Sequence, residues 1–256
     1  VIANGFAADL SPYYEQYGWK GTLVPAGVSL ATFDGKQYFV PTEVGASVIW
    51  YRTDLYEQLG LTVPKTWDEL MANAAKAKEA GLTPFQLTNQ KKWPSQFMWS
   101  AMLVNKYGLD AYNGLIGNTI PWTDERAVDI TKMMVDMAAN GMFEDSFNSV
   151  DLAPGFVPWN QGKALMWYQG SFNLGSIRGE GKQFCTVPMD FFPMPAFPGQ
   201  DPVMSVFAED TLMIHANSPH KDEAAEFINW MVSKEAMTEK LAIDKPFPSR
   251  ADADLT

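Results

Sequence analysis

The chain has 256 residues, 46% apolar and 19% charged, a composition that supports a packed core and excludes a disordered polymer. Asp and Glu number 30 against 19 Lys and Arg, and the net charge of −11 excludes the basic footprint of a nucleic-acid binder. A single cysteine, Cys185, excludes an intrachain disulfide and a Cys-x-x-Cys metal site, and no apolar run reaches the roughly 18 residues of a membrane helix.

Val1 to Leu10 reads as the end of a helix followed by a turn, and Leu23 to Leu30 as a short helix or loop. After the turn Asp34-Gly35 a strand is expected over Lys36 to Val40, stopped by Pro41. Ala46 to Tyr51 is rich in strand formers and too short for a helix. Asp54 with Glu57, and Thr66 with Glu69, carry the spacing of capping boxes, with Gly60 and Gly81 as helix stops. Between Thr66 and Gly81 the apolar face is Trp67, Leu70, Met71, Ala74 and Ala77, whereas Trp50 and Tyr51 read as core. Leu82 to Thr88 reads as a strand interrupted at Pro84.

Pro94 opens a helix closed by Gly108, and Thr123 is expected to cap a long one carrying Val128, Ile130, Met133, Met134 and Met137, ended by Gly141. Gly162 leads from a short helix into a strand over Ala164 to Tyr168. Val187 to Gln200 holds four prolines and reads as a connection. Thr211 to His215 is an expected strand. Ser218-Pro219 starts a helix with Ala224, Phe227, Ile228 and Met231 on one face, and another helix follows from about Ser233. Strands alternating with helices argue for α/β architecture.

Motifs for catalysis are missing: there is no G-x-S-x-G, H-E-x-x-H, G-x-G-x-x-G or calcium loop. Acidic pairs occur, and carboxylate pairs can serve glycoside hydrolysis when a cleft holds them about 5 to 9 Å apart. Asp68-Glu69, Glu144-Asp145 and Asp222-Glu223 read as helix first turns or solvated loops. Glu209-Asp210 stands apart, because it lies between apolar stretches. The 9 Trp, 9 Tyr and 16 Phe are also unusual, since many sit beside Gly, Pro, Gln, Asn or Ser rather than in apolar runs.

The order of Gly35-Lys36-Gln37-Tyr38-Phe39-Val40-Pro41, Val48-Ile49-Trp50-Tyr51-Arg52-Thr53-Asp54-Leu55-Tyr56, Leu59-Gly60-Leu61 and Pro64-Lys65-Thr66-Trp67-Asp68-Glu69-Leu70 resembles the extracellular solute-binding proteins of carbohydrate ABC transporters, the maltose-binding-protein-like group. Trp159-Asn160-Gln161-Gly162-Lys163-Ala164-Leu165-Met166 through Gly170-Ser171-Phe172, and Ser218-Pro219-His220-Lys221 through Phe227-Ile228, agree with that family's later segments. Arg52 replaces the family's usual Asn, and Phe172 its frequent Trp. Family members also begin with further strand–helix units and continue with further helices, so the chain resembles a fragment.

The resemblance implies an α/β, two-lobed periplasmic-binding-protein-like fold with hinge crossings and an incomplete first lobe. It places 1–47 in the first lobe, 48–204 in the second and 205–256 back in the first. It implies that a carbohydrate, an oligosaccharide, binds in the interlobe cleft and passes to the permease subunits of an ABC importer. The protein would be a monomer, periplasmic or extracellular, with a lipid anchor an open alternative. No enzymatic activity, cofactor, metal or nucleic-acid partner is implied. The apolar C–H face of a pyranose stacks on flat rings, and its hydroxyls need donors and acceptors. Trp93, after Gln90 and Lys92, and Phe172, after Gln169 and Ser171, fit stacking platforms; Glu43, Glu209 and Asp210 fall at the crossings, where a carboxylate can accept two hydroxyls. A glycoside hydrolase or lyase using these carboxylates, or a sugar-sensing module of a receptor, remains the alternative.

Overall fold

A computed structural model describes residues 1–177, 185–244 and 247–253. The chain divides into two compact units, one of Val1–Ala46, Ser171–Gln183 and Val206–Thr256, the other of Ser47–Gly170 and Phe184–Ser205.

The larger unit is built on a sheet whose strands run in the order Thr83–Gln86, Ala164–Gly170, Val44–Arg52, Met189–Phe192. The first pair is parallel, with Phe85 beside Met166, and the others are antiparallel, with Trp50 opposite both Trp167 and Phe191. Every residue of Ala164–Gly170 is buried, as expected for a central strand covered on both faces. Helices Trp67–Glu79, Trp93–Tyr107 and Glu125–Ala139 pack Leu70, Met98, Met102 and Ile130 into one core with Ile49, Phe85 and Leu165. Helix Leu152–Asn160 brings Phe156 and Trp159 against Trp167, with ring centroids at 5.1 and 5.6 Å. Trp50 and Trp67 are buried, and Tyr51 packs half-buried against this core.

The smaller unit packs the short helices Ser11–Gln16, Trp19–Thr22 and Pro25–Ala31 with the longer Lys221–Met231 and Lys234–Asp244. Its core gathers Leu10, Tyr14, Trp19, Val40, Ile214, Ile228 and Met237. The buried polar tips are satisfied: Tyr14 donates to the Phe39 carbonyl at 2.7 Å, and the Trp19 indole donates to Asn229 at 3.1 Å. Strand Val40–Pro41 pairs antiparallel with Thr211–Leu212, and Thr32–Phe33 pairs with Lys36–Gln37 across the Asp34-Gly35 turn.

Several local expectations need correction. Val1 to Leu10 carries turns and a bridge from Ala7 to His215 rather than a helix end. The strand expected over Lys36 to Val40 is split in two. Asp54 caps nothing, because its carboxylate is taken by the Arg52 guanidinium at 2.9 and 2.6 Å. Asp124, not Thr123, caps Glu125–Ala139, accepting from the Arg126 N–H at 3.1 Å, and Val128 is exposed on that helix. Pro84 does not interrupt its strand, since Thr83–Gln86 is an edge strand where a missing donor is tolerated. Helix Leu152–Asn160 forms despite Pro154 and Pro158, and strand Met189–Phe192 lies inside the expected proline-rich connection. Thr211–Leu212 is a strand of two residues. On Lys221–Met231 the buried residues are Ala225 and Ile228, while Phe227 is exposed.

The Thr66 and Glu69 capping box does form: Glu69 N–H donates to Thr66 Oγ1 at 3.2 Å, and Thr66 N–H donates to Glu69 Oε2 at 3.3 Å. Thr66→Ala should cost about 1 kcal/mol, read as a lower urea midpoint at unchanged slope.

Candidate functional site

The nine candidate residues fall into two sets, one in each unit. In the smaller unit the structure brings together Glu43, Ser171, Glu209 and Asp210. Backbone hydrogen bonds bring the acids to one place: Glu209 N–H donates to the Glu43 carbonyl at 3.1 Å, and Thr42 N–H donates to the Asp210 carbonyl at 2.8 Å. Ser171 opens the short 3-10 turn Ser171–Asn173, where its hydroxyl accepts from Ala46 N–H at 3.0 Å and donates to Glu209 Oε2 at 3.2 Å. Phe172, in the same turn, is half-buried. Glu43 is buried and contacts the Lys240 ammonium, which also lies 3.7 Å from Asp210 Oδ2. Burial, reinforced by the neighbouring charge of Glu43, pushes the Glu209 carboxyl up to about 7, a rise that the Ser171 hydroxyl and Lys240 moderate.

Gly45 permits this packing. A Cβ there would lie 2.5 Å from Glu209 Oε2 and 2.7 Å from the Phe207 ring.

In the larger unit, Gln90 and Lys92 lie on the loop from strand Thr83–Gln86 into helix Trp93–Tyr107, and Trp93 is that helix's first residue. Buried Asn89 pins that loop, accepting from Ser95 N–H at 3.2 Å and donating to Asn148 Oδ1 at 2.8 Å. Lys92 takes the left-handed conformation at φ 68° to turn the chain into the helix, and its ammonium reaches Asn148 at 3.3 Å. Trp93 is half-buried, its ring edge-to-face with Phe97 at 5.3 Å. Gln90 is exposed. Gln169 is buried in the central strand, where its amide donates to Thr88 Oγ1 at 3.4 Å. A groove of about 460 Å³, lined by Asn89, Ser95 and Asn148 and walled by Trp99, Tyr112, Trp122, Met134 and Phe147, contains none of the nine.

Sequence reasoning missed Lys240, which reads as an ordinary helix lysine, and Gly45 and Asn89, whose importance is visible only in packing. It also misplaced Glu144. That residue is half-buried rather than solvated; its carboxylate accepts from Leu87 N–H at 3.2 Å, and burial raises it to about 7. Arg52, in place of the family's Asn, is buried, and besides Asp54 it donates to the Trp159 carbonyl at 2.5 Å. Among the described residues no group of three His, Cys, Asp or Glu is placed to hold a metal, and no helix is long and apolar enough to cross a membrane.

The profile of the bacterial extracellular solute-binding protein family matches residues 1–238. The chain belongs to that family. It is 29% identical over 227 residues to an ABC transporter extracellular-binding protein of Pyrococcus horikoshii, covering 88% of this chain and 49% of that one. It is 28% identical over 217 residues to the multiple sugar-binding protein of Streptococcus mutans, covering 82% and 50%. Among solved structures it matches a chitin oligosaccharide binding protein with TM-score 0.85 and 25% identity, over 100% of this chain and 64% of that one. The fold is therefore that of the two-lobed solute-binding proteins. The chain spans about half the length of the curated relatives it matches.

Two outcomes follow. Gly45→Ala should destabilise the protein by about 1–3 kcal/mol, since the Phe207 ring must move to admit the methyl group; denaturant unfolding measures it. Glu144 and Glu209 hold protons up to about 7 when folded, against an ordinary 4.5. The folded state then binds more protons in between, so their contribution to stability is full below 4.5 and is lost as pH rises to about 7. Glu144→Gln and Glu209→Gln should each flatten part of that decline in unfolding measurements between about pH 5 and about pH 8.

Proposed function

We propose that the protein captures a carbohydrate, an oligosaccharide, and delivers it to the permease subunits of an ABC importer without altering it. The observation that carries this reading is Trp93, a half-buried indole at the start of helix Trp93–Tyr107, after a polar loop that Asn89 and Asn148 pin in place. A flat, fixed ring offers apolar area to the C–H face of a pyranose at low entropic cost. Gln90, Lys92 and Gln169 of the same unit, and Glu43, Ser171, Phe172, Glu209 and Asp210 of the other, are assigned to the ligand. They supply the donors and acceptors that ring hydroxyls require. Relatives support the class: one is named a multiple sugar-binding protein, and a structural neighbour a chitin oligosaccharide binding protein.

The two units are assigned as the two lobes, with boundaries near residues 47 and 204 and with Ser171–Gln183 grouped with the smaller one. Ligand contacts favour one conformation only through differential affinity, and capture without chemistry needs nothing more. The protein would act as a monomer outside the cytoplasmic membrane.

Titration calorimetry with chitin oligosaccharides, raffinose and maltose tests the reading, on this chain and on the longest natural polypeptide that contains it. Saturable binding of one sugar is expected, with Trp93→Ala weakening it about tenfold or more, roughly 1.4 kcal/mol. No heat from any sugar with the longer polypeptide, or release of reducing ends lost in Glu209→Gln, would overturn it.

A further inference from the structure

The three acids of the smaller unit are not equivalent. Glu43 contacts the Lys240 ammonium directly, and Asp210 Oδ2 lies 3.7 Å from it. Lys240 arrives on helix Lys234–Asp244, an element separate from both acids, and its side chain is only 25% exposed. Among the described residues no cation stands within ion-pair distance of Glu209. A hydroxyl holds it instead: Ser171 Oγ donates to Glu209 Oε2 and is itself fixed by Ala46 N–H.

We propose that Lys240 is a positioning residue of the sugar site: it fixes and neutralises the buried Glu43, and so leaves Glu209 as the carboxyl that exchanges hydrogen bonds with ligand hydroxyls. The assignment rests on the carbohydrate reading. Its physical basis is charge arithmetic. Among the described residues one ammonium faces Glu43 directly and the largely exposed Asp210 at 3.7 Å, and a carboxyl buried beside a like charge resists ionising. Among the described residues the charged groups acting on Glu209 are Glu43, its chain neighbour Asp210, and Lys240; Ser171 donates to it, and Gly45 leaves the space beside it open. Burial first, and the Glu43 charge second, hold the Glu209 proton into the neutral range, and Lys240 limits the rise. A carboxyl in that state both donates and accepts, which matches a sugar hydroxyl that does the same. An ionised carboxylate would only accept.

The test separates the two claims. Carbon-13 NMR of glutamate-labelled protein, assigned with Glu209→Gln and Glu144→Gln, reads the Glu209 midpoint without any ligand. Lys240→Met should raise it, because Glu43 is no longer neutralised, and Lys240→Arg should keep it near the parent value. Glu43→Gln, which removes a like charge and keeps the lysine, should lower it. Glu144, in the other unit, should stay where it is in all three variants and reports that each is folded. A Glu209 midpoint unmoved in Lys240→Met and in Glu43→Gln overturns the role of Lys240. In calorimetry with chitin oligosaccharides, Lys240→Met should bind about tenfold more weakly and Lys240→Arg about as the parent. Absence of sugar binding by the parent protein refutes the carbohydrate reading alone, since the NMR midpoints do not depend on it.

Discussion

The smaller unit depends on one close approach of backbone to backbone. Residues 40–45 and 207–212 run side by side, joined by the pairing of Val40–Pro41 with Thr211–Leu212 and by the Glu209-to-Glu43 hydrogen bond at 3.1 Å. That ladder determines where the side chains go. It sets Glu43, Glu209 and Asp210 beside one another whatever their mutual repulsion, and the rest of the unit answers the cost. Lys240 supplies the countercharge, Ser171 a hydrogen bond, and Gly45 the space that Glu209 and Phe207 occupy. A fold that brings like charges together by main-chain geometry is the arrangement in which one of them stays protonated.

The larger unit places its polar groups differently. Its central strand is buried throughout, so Gln169 is held within the protein rather than on its surface. The loop leaving the neighbouring strand emerges at Gln90, and its conformation is maintained by Asn89 and Asn148 instead of by secondary structure. Gln90 and Lys92 thus sit on a loop positioned by a rigid scaffold, while Gln169 is held by the strand and Trp93 by the first turn of its helix.

What was legible in the sequence follows the range of the forces. Thr66 and Glu69 announced their helix because a capping box is a contact within one turn. Gly60, Gly81, Gly108 and Gly141 marked helix ends because a positive φ is a local demand, and all four adopt it. Asp54 and Glu57 showed the same spacing and misled, because Arg52, two residues away, offers Asp54 a stronger charge-assisted partner than a helix N–H does. Phe227 misled in the same way: helical periodicity named Ile228 correctly, but tertiary packing buried Ala225 and left Phe227 exposed. In the candidate sites the acids at 43, 209 and 210 were readable from their place in a family-like order. Lys240 was not, since nothing near it in sequence signals that a remote carboxylate needs a cation. Glu144 was hidden for the complementary reason, because burial is not written beside a residue.

Pro84 has a consequence beyond the fold. It lies on the edge strand of the larger unit's sheet and carries no N–H, and the N–H of the next residue, Phe85, is already given to the Met142 carbonyl at 2.9 Å. Asn89 N–H goes in the same way to the Phe147 carbonyl at 2.8 Å, so the chain over 142–147 covers that margin and leaves a strand from another molecule little to pair with. An edge covered in this way guards a Trp- and Met-rich protein against strand-by-strand self-association, a hazard that net charge alone does not remove.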